Sequence, residues 1–260
     1  MLANRLLSFV FASALFCAWG VPVTFNLVPA LGASGDEPAP FLTLDVAGAT
    51  AAATSFIYLR NGDVYDFTGS VRFQGTKASD VSLISFSGEF DKDPFINWAI
   101  TAVTGANSAS FSYTFSTPVA PGIYSSALAG FSGSMGDLRG DGVSVTNLIN
   151  TSEIASGTPQ PALTMSGSCV AGPSTPASNH PCPPLGQFGP VSTNLAPAYY
   201  PSMSTTLKFT LTPNDSATFQ GQLLLEQPTP EPGTVALMGF GLVGIVFGRY
   251  RQVRSRKPRA

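Results

Sequence analysis

The chain has 260 residues, with 13 Lys and Arg, 15 Asp and Glu, a single His and a formal net charge of −2. Residues 34–227 are more acidic, with 14 acidic side chains against 6 basic ones, which gives this stretch a net charge of −8. Such a body is not expected to bind nucleic acid, because binding to phosphates requires clustered Lys and Arg. About 190 residues can build one well-buried core, so we expect a single domain over residues 33–227.

Residues 1–32 have the pattern of a secretory signal peptide. The N-terminal region, residues 1–5, carries one cation, Arg5. Residues 6–19 are largely apolar, with interspersed serines and alanines. Small residues allow cleavage after residue 20 or after residue 32, and the sequence leaves both open. An uncleaved N-terminal anchor is the main alternative, whereas a lipid anchor on Cys17 is disfavoured because bulky Phe16 precedes it. The segment predicts export.

The middle of the chain alternates apolar and polar residues with a period of two, which is typical of strands with one buried face. Phe111, Tyr113 and Phe115, for example, alternate with serines and a threonine. Further strand candidates are residues 41–46, 55–60, 64–73, 81–86, 97–103 and 123–128. Turns rich in Gly, Asn and Pro separate them. The pattern predicts an all-β fold, either an antiparallel β-sandwich or a jelly-roll-like domain.

Residues 205–225 contain two more alternating runs. The sequence Pro-Asn-Asp-Ser at residues 213–216 lies between them. Two strand-like runs joined by a short turn are typical of a β-hairpin, so we predict one here.

Residues 156–201 differ from the rest of the domain because they are rich in Pro and Ser, and we interpret them as a long, loop-rich insertion between strands. They contain Cys169 and Cys182, the pair that remains if Cys17 leaves with the signal peptide. An even cysteine count in an oxidising compartment predicts a disulfide. A metal site that also uses His180 is the alternative, but it would need more ligands.

Two acidic pairs are candidate metal ligands. Asp91 and Asp93 are two residues apart, and Asp137 and Asp141 enclose the sequence Leu-Arg-Gly. Short loops with Asp and Gly suit calcium, which prefers oxygen ligands. The spacing of an EF-hand loop is absent, and solvated turns explain both pairs more simply. We therefore expect no metal and no cofactor, and keep Asp137 and Asp141 as the calcium candidates.

No residue pattern selects an active site. A Ser-His-Asp hydrolase would have to use His180, and no serine has the nucleophile-elbow sequence. A carboxylate pair for glycoside hydrolysis could form in the fold, but nothing in the sequence selects one. Trp98, Tyr199 and Tyr200 could offer flat faces to sugar rings or anchor the core. We expect a protein that is not an enzyme, with a carbohydrate-binding module as the alternative function and a secreted hydrolase as the less favoured one.

The C-terminal segment, residues 228–259, has three parts. Pro230, Glu231 and Pro232 come first, and an uncharged apolar run follows, with a predicted transmembrane helix at residues 234–248. A basic tail then contains Arg249, Arg251, Arg254, Arg256, Lys257 and Arg259. About fifteen helical residues span roughly 23 Å, short of the roughly 30 Å hydrocarbon core. The basic tail predicts that this end stays cytoplasmic while the body lies across the membrane.

This order of tripeptide, glycine-containing apolar helix and arginine-rich tail closely resembles the PEP-CTERM sorting signal of Gram-negative bacteria. The resemblance implies that exosortase, a membrane-embedded cysteine protease or transpeptidase, recognises the signal and removes the tail. It also implies export, transient anchoring in the inner membrane, release to the cell surface or beyond, and an association with exopolysaccharide or biofilm. The expected partners are therefore the secretion machinery, exosortase and, in the alternative function, exopolysaccharide.

Overall fold

The computed structural model describes residues 22–27, 39–91, 94–155, 162–173, 178–182 and 188–227. The chain divides into two units, residues 1–226 and 227–260, and every described strand belongs to the first. The predicted transmembrane helix and the basic tail lie outside the described residues, as do residues 1–21 of the predicted signal peptide. Residues 22–27 are described, and Val23–Asn26 form a strand that pairs with residues 41–44. The β-rich domain therefore begins before residue 33, the start that the sequence predicts.

The described residues form fourteen strands and no helix. The strands are β1 (Val23–Asn26), β2 (Phe41–Val46), β3 (Thr50–Asn61), β4 (Val64–Gln74), β5 (Val81–Asp91), β6 (Phe95–Val103), β7 (Ala109–Pro118), β8 (Tyr124–Asp137), β9 (Val143–Ala155), β10 (Leu163–Ala171), β11 (Ser178–Cys182), β12 (Phe188–Ala198), β13 (Ser202–Leu211) and β14 (Asp215–Glu226). All pairings between them are antiparallel, which confirms the predicted fold class.

The strands form two sheets. The first has the order β1-β2-β7-β13-β9-β10, and the second has the order β11-β8-β14-β6-β5-β4-β3. Strand β12 also pairs with β8, along residues 124–131, whereas β11 pairs with residues 133–137 of the same strand. Strands β11 and β12 therefore share one edge of the second sheet.

The two sheets pack face to face through aromatic side chains, as in a β-sandwich. Phe115 of the first sheet meets Trp98 of the second with ring centroids 5.6 Å apart, and Phe209 meets Phe219 at 5.0 Å. All four rings are at most 2% exposed. Alternation along each strand places these rings inside and the Ser and Thr residues outside, so the period-two pattern in the sequence directly encodes the core.

Glycines in the second sheet make room for the largest of these rings. Gly221 lies opposite Trp98 in the β14–β6 register, and Gly133 lies opposite Phe219 in the β8–β14 register. A Cβ atom on either glycine would come closer than 3.0 Å to the partner's ring. Each ring therefore lies flat over a backbone without a side chain, an arrangement in which an aromatic residue covers a cross-strand glycine.

A disulfide joins Cys169 to Cys182, as the sequence predicts, with a Cα–Cα distance of 5.5 Å. Cys169 belongs to β10 in the first sheet and Cys182 to β11 in the second. Both are at most 1% exposed. The bond therefore links the two layers of the sandwich, whereas the sequence suggested only the closure of a loop.

The segment 156–201 contains more regular structure than its composition predicts. Its described residues include β10, β11 and β12, so the loop-rich interpretation needs correction. Prolines usually indicate loops, but Pro181 and Pro190 lie in strands that pair with β8 alone. A strand at a sheet edge tolerates proline because one of its sides needs no amide donors.

The hairpin predicted over residues 205–225 is wrong. Strand β13 lies in the first sheet between β7 and β9, and β14 lies in the second between β8 and β6. The turn at residues 212–214 therefore crosses from one sheet to the other, with Asn214 at φ 56°. Local alternation cannot distinguish this crossing from a hairpin, because both need two amphipathic strands and a turn.

Replacing Gly221 with alanine should destabilise the sandwich by about 1–3 kcal/mol, because the new methyl group must displace the Trp98 ring. Gly172→Ala is the matched control, since a Cβ at that position meets no atom within 4 Å. Urea unfolding followed by circular dichroism measures both. Equal stability of the two variants would show that the ring is not constrained by Gly221.

Removing the disulfide in the double variant Cys169→Ala and Cys182→Ala should cost about 3 kcal/mol of stability, the value expected for closing a loop of this length. Urea unfolding with and without reductant checks this. The reductant should lower the midpoint of the wild-type chain and leave the midpoint of the double variant unchanged. If the reductant lowers the unfolding midpoints of the wild-type chain and the double variant equally, its effect does not come from this disulfide.

Candidate functional site

A groove of about 540 Å³ lies on the outer face of the second sheet. Its floor is formed by β8, β14 and β6, through residues that include Ser132, Gln220, Gln222 and Asn97. Strand β12 forms a wall through Pro190, whose Cα lies 3.5 Å from where a side chain on Gly130 would begin. The missing side chain at Gly130 therefore leaves space between the wall and the floor.

The strand register places three carboxamides and a hydroxyl side by side on this floor. Gln222 pairs with Asn97 of β6, and Gln220 pairs with Ser132 of β8. Asn97, Gln220 and Gln222 are exposed, and the Gln220 Nε2 donates to the Ser132 Oγ across 3.5 Å. Each carboxamide offers two donors and an acceptor, which suits a ligand with many hydroxyl groups. The described lining contains no titratable side chain.

An acidic cluster lies at one end of the sandwich. Asp137 is the last residue of β8 and Asp215 the first of β14, and the two are partners in the strand register. Asp141 follows in the loop between β8 and β9. One carboxylate oxygen from each of the three residues lies within 4.8 Å of the others. The structure thus brings together the two predicted calcium candidates and adds Asp215, which the sequence indicated only as a turn residue.

The three carboxylates have different surroundings. Asp137 is buried and accepts hydrogen bonds from the backbone amides of Arg139, Gly140 and Gly142, at 3.1, 2.5 and 2.9 Å. Gly140 and Gly142 have positive φ angles of 81° and 99°, which fold the loop back over this carboxylate. Asp141, in contrast, is exposed.

Asp215 is buried, and its environment disfavours the charged form. Burial raises the pKa of its carboxyl group, and the negative charges of Asp137 and Asp141 raise it further. The Thr212 hydroxyl, which donates to Oδ2 at 2.5 Å, and the Leu138 backbone amide oppose this pKa shift. The other oxygen, Oδ1, is buried without a hydrogen-bond partner.

The remaining sequence candidates are not brought into one site. The disulfide takes both cysteines, so they offer no thiolate to a metal with His180. The His180 Nε2 lies 3.2 Å from the Ser178 Oγ on the same strand, β11. Asp91 ends β5, whereas Asp93 lies outside the described residues.

The aromatic candidates for sugar stacking mostly belong to the core. Trp98 is 1% exposed and Tyr200 is 0% exposed, and the Tyr200 hydroxyl donates to the Ala196 carbonyl. Tyr199 is 57% exposed. Trp98 and Tyr200 therefore act as core anchors, which is the second of the two alternatives that the sequence offers, and they do not face a ligand.

Pro230, Glu231 and Pro232 lie outside the described residues, as do the six basic residues of the tail. The described part of the chain contains no helix with the length and apolar character that crossing a bilayer requires.

Comparison with known proteins gives one match to a family and a distant structural likeness. Residues 228–252 match the PEP-CTERM protein-sorting motif. No curated protein matches the chain. One solved structure that is similar in part is TmCBM61 in complex with β-1,4-galactotriose, with 12% sequence identity, a TM-score of 0.27, and coverage of 55% of this chain and 88% of that chain. A TM-score this low carries no inference about the sandwich or its ligand.

The family match falls on the residues that the sequence pattern singled out, including Pro230, Glu231 and Pro232. It covers the C-terminal segment and leaves the β-sandwich unassigned. The chain therefore carries a PEP-CTERM protein-sorting motif at residues 228–252.

Proposed function

We propose that this chain is an exported protein that is anchored briefly in the inner membrane, cleaved by exosortase near Pro230–Pro232 and delivered to the cell surface or extracellular matrix. Its β-sandwich acts there as a component without catalytic activity. The match of residues 228–252 to the sorting motif is the observation that carries this proposal.

The body of the protein suits an exterior compartment. Its net charge of −8 over residues 34–227 favours solubility and opposes self-association. The buried disulfide between Cys169 and Cys182 requires an oxidising environment to form and persist. A short apolar segment of about fifteen residues suits temporary retention better than a permanent span, because it must thin the bilayer to cross it.

The described residues favour a role without catalysis. Among them, the groove is lined by carboxamides, a hydroxyl and apolar groups, which cannot transfer protons near neutral pH. The single histidine of the chain pairs with Ser178 on β11, away from the groove lining. The groove therefore suits recognition better than acid–base chemistry.

Replacing Pro230, Glu231 and Pro232 with alanines should block processing, because the tripeptide is the recognition element of the sorting motif. The chain, with a tag in the body and another at the C-terminus, is expressed in an exosortase-positive host. Immunoblotting should show loss of the C-terminal tag from the wild-type chain and its retention on the variant.

Gln227→Ala is the matched control, because it changes the residue directly before the sorting motif and lies outside residues 228–252. An isogenic host without exosortase should retain the C-terminal tag on every variant. Retention of the C-terminal tag on the wild-type chain in the exosortase-positive host would refute the proposal.

A second candidate function is carbohydrate binding in the groove. It rests on the polar floor, where Asn97, Gln220 and Gln222 present donors and acceptors next to one another. Sugar hydroxyls pair with such groups without any charge on the protein. The groove volume of about 540 Å³ is also within the range of small-ligand sites.

If the groove binds polysaccharide, Gln220→Ala combined with Gln222→Ala should weaken binding about thirtyfold, because the change removes two sets of hydrogen bonds of about 1 kcal/mol each. Retention of the purified chain on immobilised exopolysaccharide from the host measures this effect.

The control variant combines Ser112→Ala with Lys208→Ala, a cross-strand pair in the first sheet. Its retention should equal that of the wild-type chain. Absence of wild-type retention, or equal losses in both variants, would remove the groove as a binding site and leave the sorting proposal unaffected.

A further inference from the structure

The acidic cluster lies where the chain crosses between the two sheets. The loop at residues 138–142 leads from β8 in the second sheet to β9 in the first, and residues 212–214 lead from β13 in the first to β14 in the second. The Thr212 Oγ1 accepts a hydrogen bond from the Ser144 backbone amide at 2.8 Å. The two crossings are therefore in direct contact beside the cluster.

The charges that act on the Asp215 carboxyl group are negative. Among the described residues, the charged side chains that raise its pKa are Asp137 and Asp141. Three carboxylates with oxygens within 4.8 Å repel one another strongly unless a proton or a cation lies among them. Exposure of Asp141 gives an ion in solvent access to the cluster.

The unpartnered oxygen of Asp215 is a second, independent sign of a ligand. The residue is fully buried, its Oδ2 accepts from Thr212, and the Leu138 backbone amide also acts on the carboxyl group. Its Oδ1 makes no hydrogen bond of normal geometry to the described residues. A buried acceptor left without a partner costs about 1–3 kcal/mol, so native structures rarely keep one. A cation bound by this oxygen would remove that cost.

The donor set indicates which cation fits. All three side chains offer oxygen, and the cluster includes neither His nor Cys, which zinc prefers. Calcium binds oxygen ligands at about 2.3–2.6 Å, so two ligands on opposite sides of one ion are about 4.8 Å apart. Three oxygens that lie within 4.8 Å of one another are therefore close enough to bind one calcium ion. Magnesium needs shorter bonds of about 2.1 Å in a stricter octahedron.

We propose that Asp137, Asp141 and Asp215 bind a calcium ion that clamps the β8–β9 loop to the start of β14. The ion would hold both crossings together at one end of the sandwich, complementing the disulfide that links the sheets between β10 and β11. Backbone carbonyls and water complete the coordination, since calcium takes six to eight oxygen ligands.

Thermal melting and isothermal titration calorimetry of the full chain, purified in detergent from a host without exosortase, test this site. After chelator treatment, calcium at about 100 times its dissociation constant should raise the melting temperature by about 5 °C or more. Calorimetry should give one ion per chain, with a dissociation constant of about 0.1–1 mM. Magnesium at the same concentration should produce a smaller shift.

Asp141→Asn and Asp215→Asn should each weaken calcium binding at least about tenfold, because each removes a negative charge from a small ligand set. Asp141 is exposed, so its variant tests the site even if Asp215→Asn folds poorly. Asp66→Asn, an exposed change on β4, is the control and should retain the wild-type response. No calcium response in the wild-type chain, or an undiminished response in Asp141→Asn, would overturn the proposal.

Discussion

The sandwich depends on close contact between aromatic rings and cross-strand glycines in its second sheet. Gly69 and Gly88 lie opposite Phe86 and Phe67, and Gly221 lies opposite Trp98, in the same way that Gly133 lies opposite Phe219. In every pair, a Cβ on the glycine would come closer than 3.0 Å to the ring. The rings therefore lie low on the sheet, and the opposite sheet can approach them closely. Glycine usually weakens a strand, and this packing explains why the strands of the second sheet nevertheless contain it.

Packing of one face leaves the other face and the ends of the sandwich available for binding. The groove uses Gln220 and Gln222, outward residues of β14 whose inward neighbours Phe219 and Leu223 belong to the core. The acidic cluster uses the strand ends where the chain changes sheets. The core thus fixes the positions of the groove carboxamides and of the clustered carboxylates, although the packing of the core does not require these side chains. Binding groups placed on strands in this way keep their spacing without help from a ligand.

Much of the fold follows from the period-two pattern. The expectation of a strand at residues 41–46 matches β2, and the alternation of Phe111, Tyr113 and Phe115 places all three in the core. Strand pairing does not follow from that pattern. The runs around the turn at residues 212–214 join different sheets, because alternation specifies which face is buried and not which strand lies alongside. The sequence pattern does not predict the candidate cluster either. Asp215 is 74 residues from Asp141 in sequence, and only the β8–β14 register brings the two together.

The sequence by itself determined the sorting motif at residues 228–252, because a short linear signal is read from its order of residues without a fold. It also determined the all-β class and the cysteine pair, since both rest on local periodicity and a simple count. The tertiary structure alone decided that the disulfide joins the two sheets, that three carboxamides line one groove and that three carboxylates meet at one end. These features depend on contacts between residues far apart in the chain, and only the packing of the two sheets brings them together.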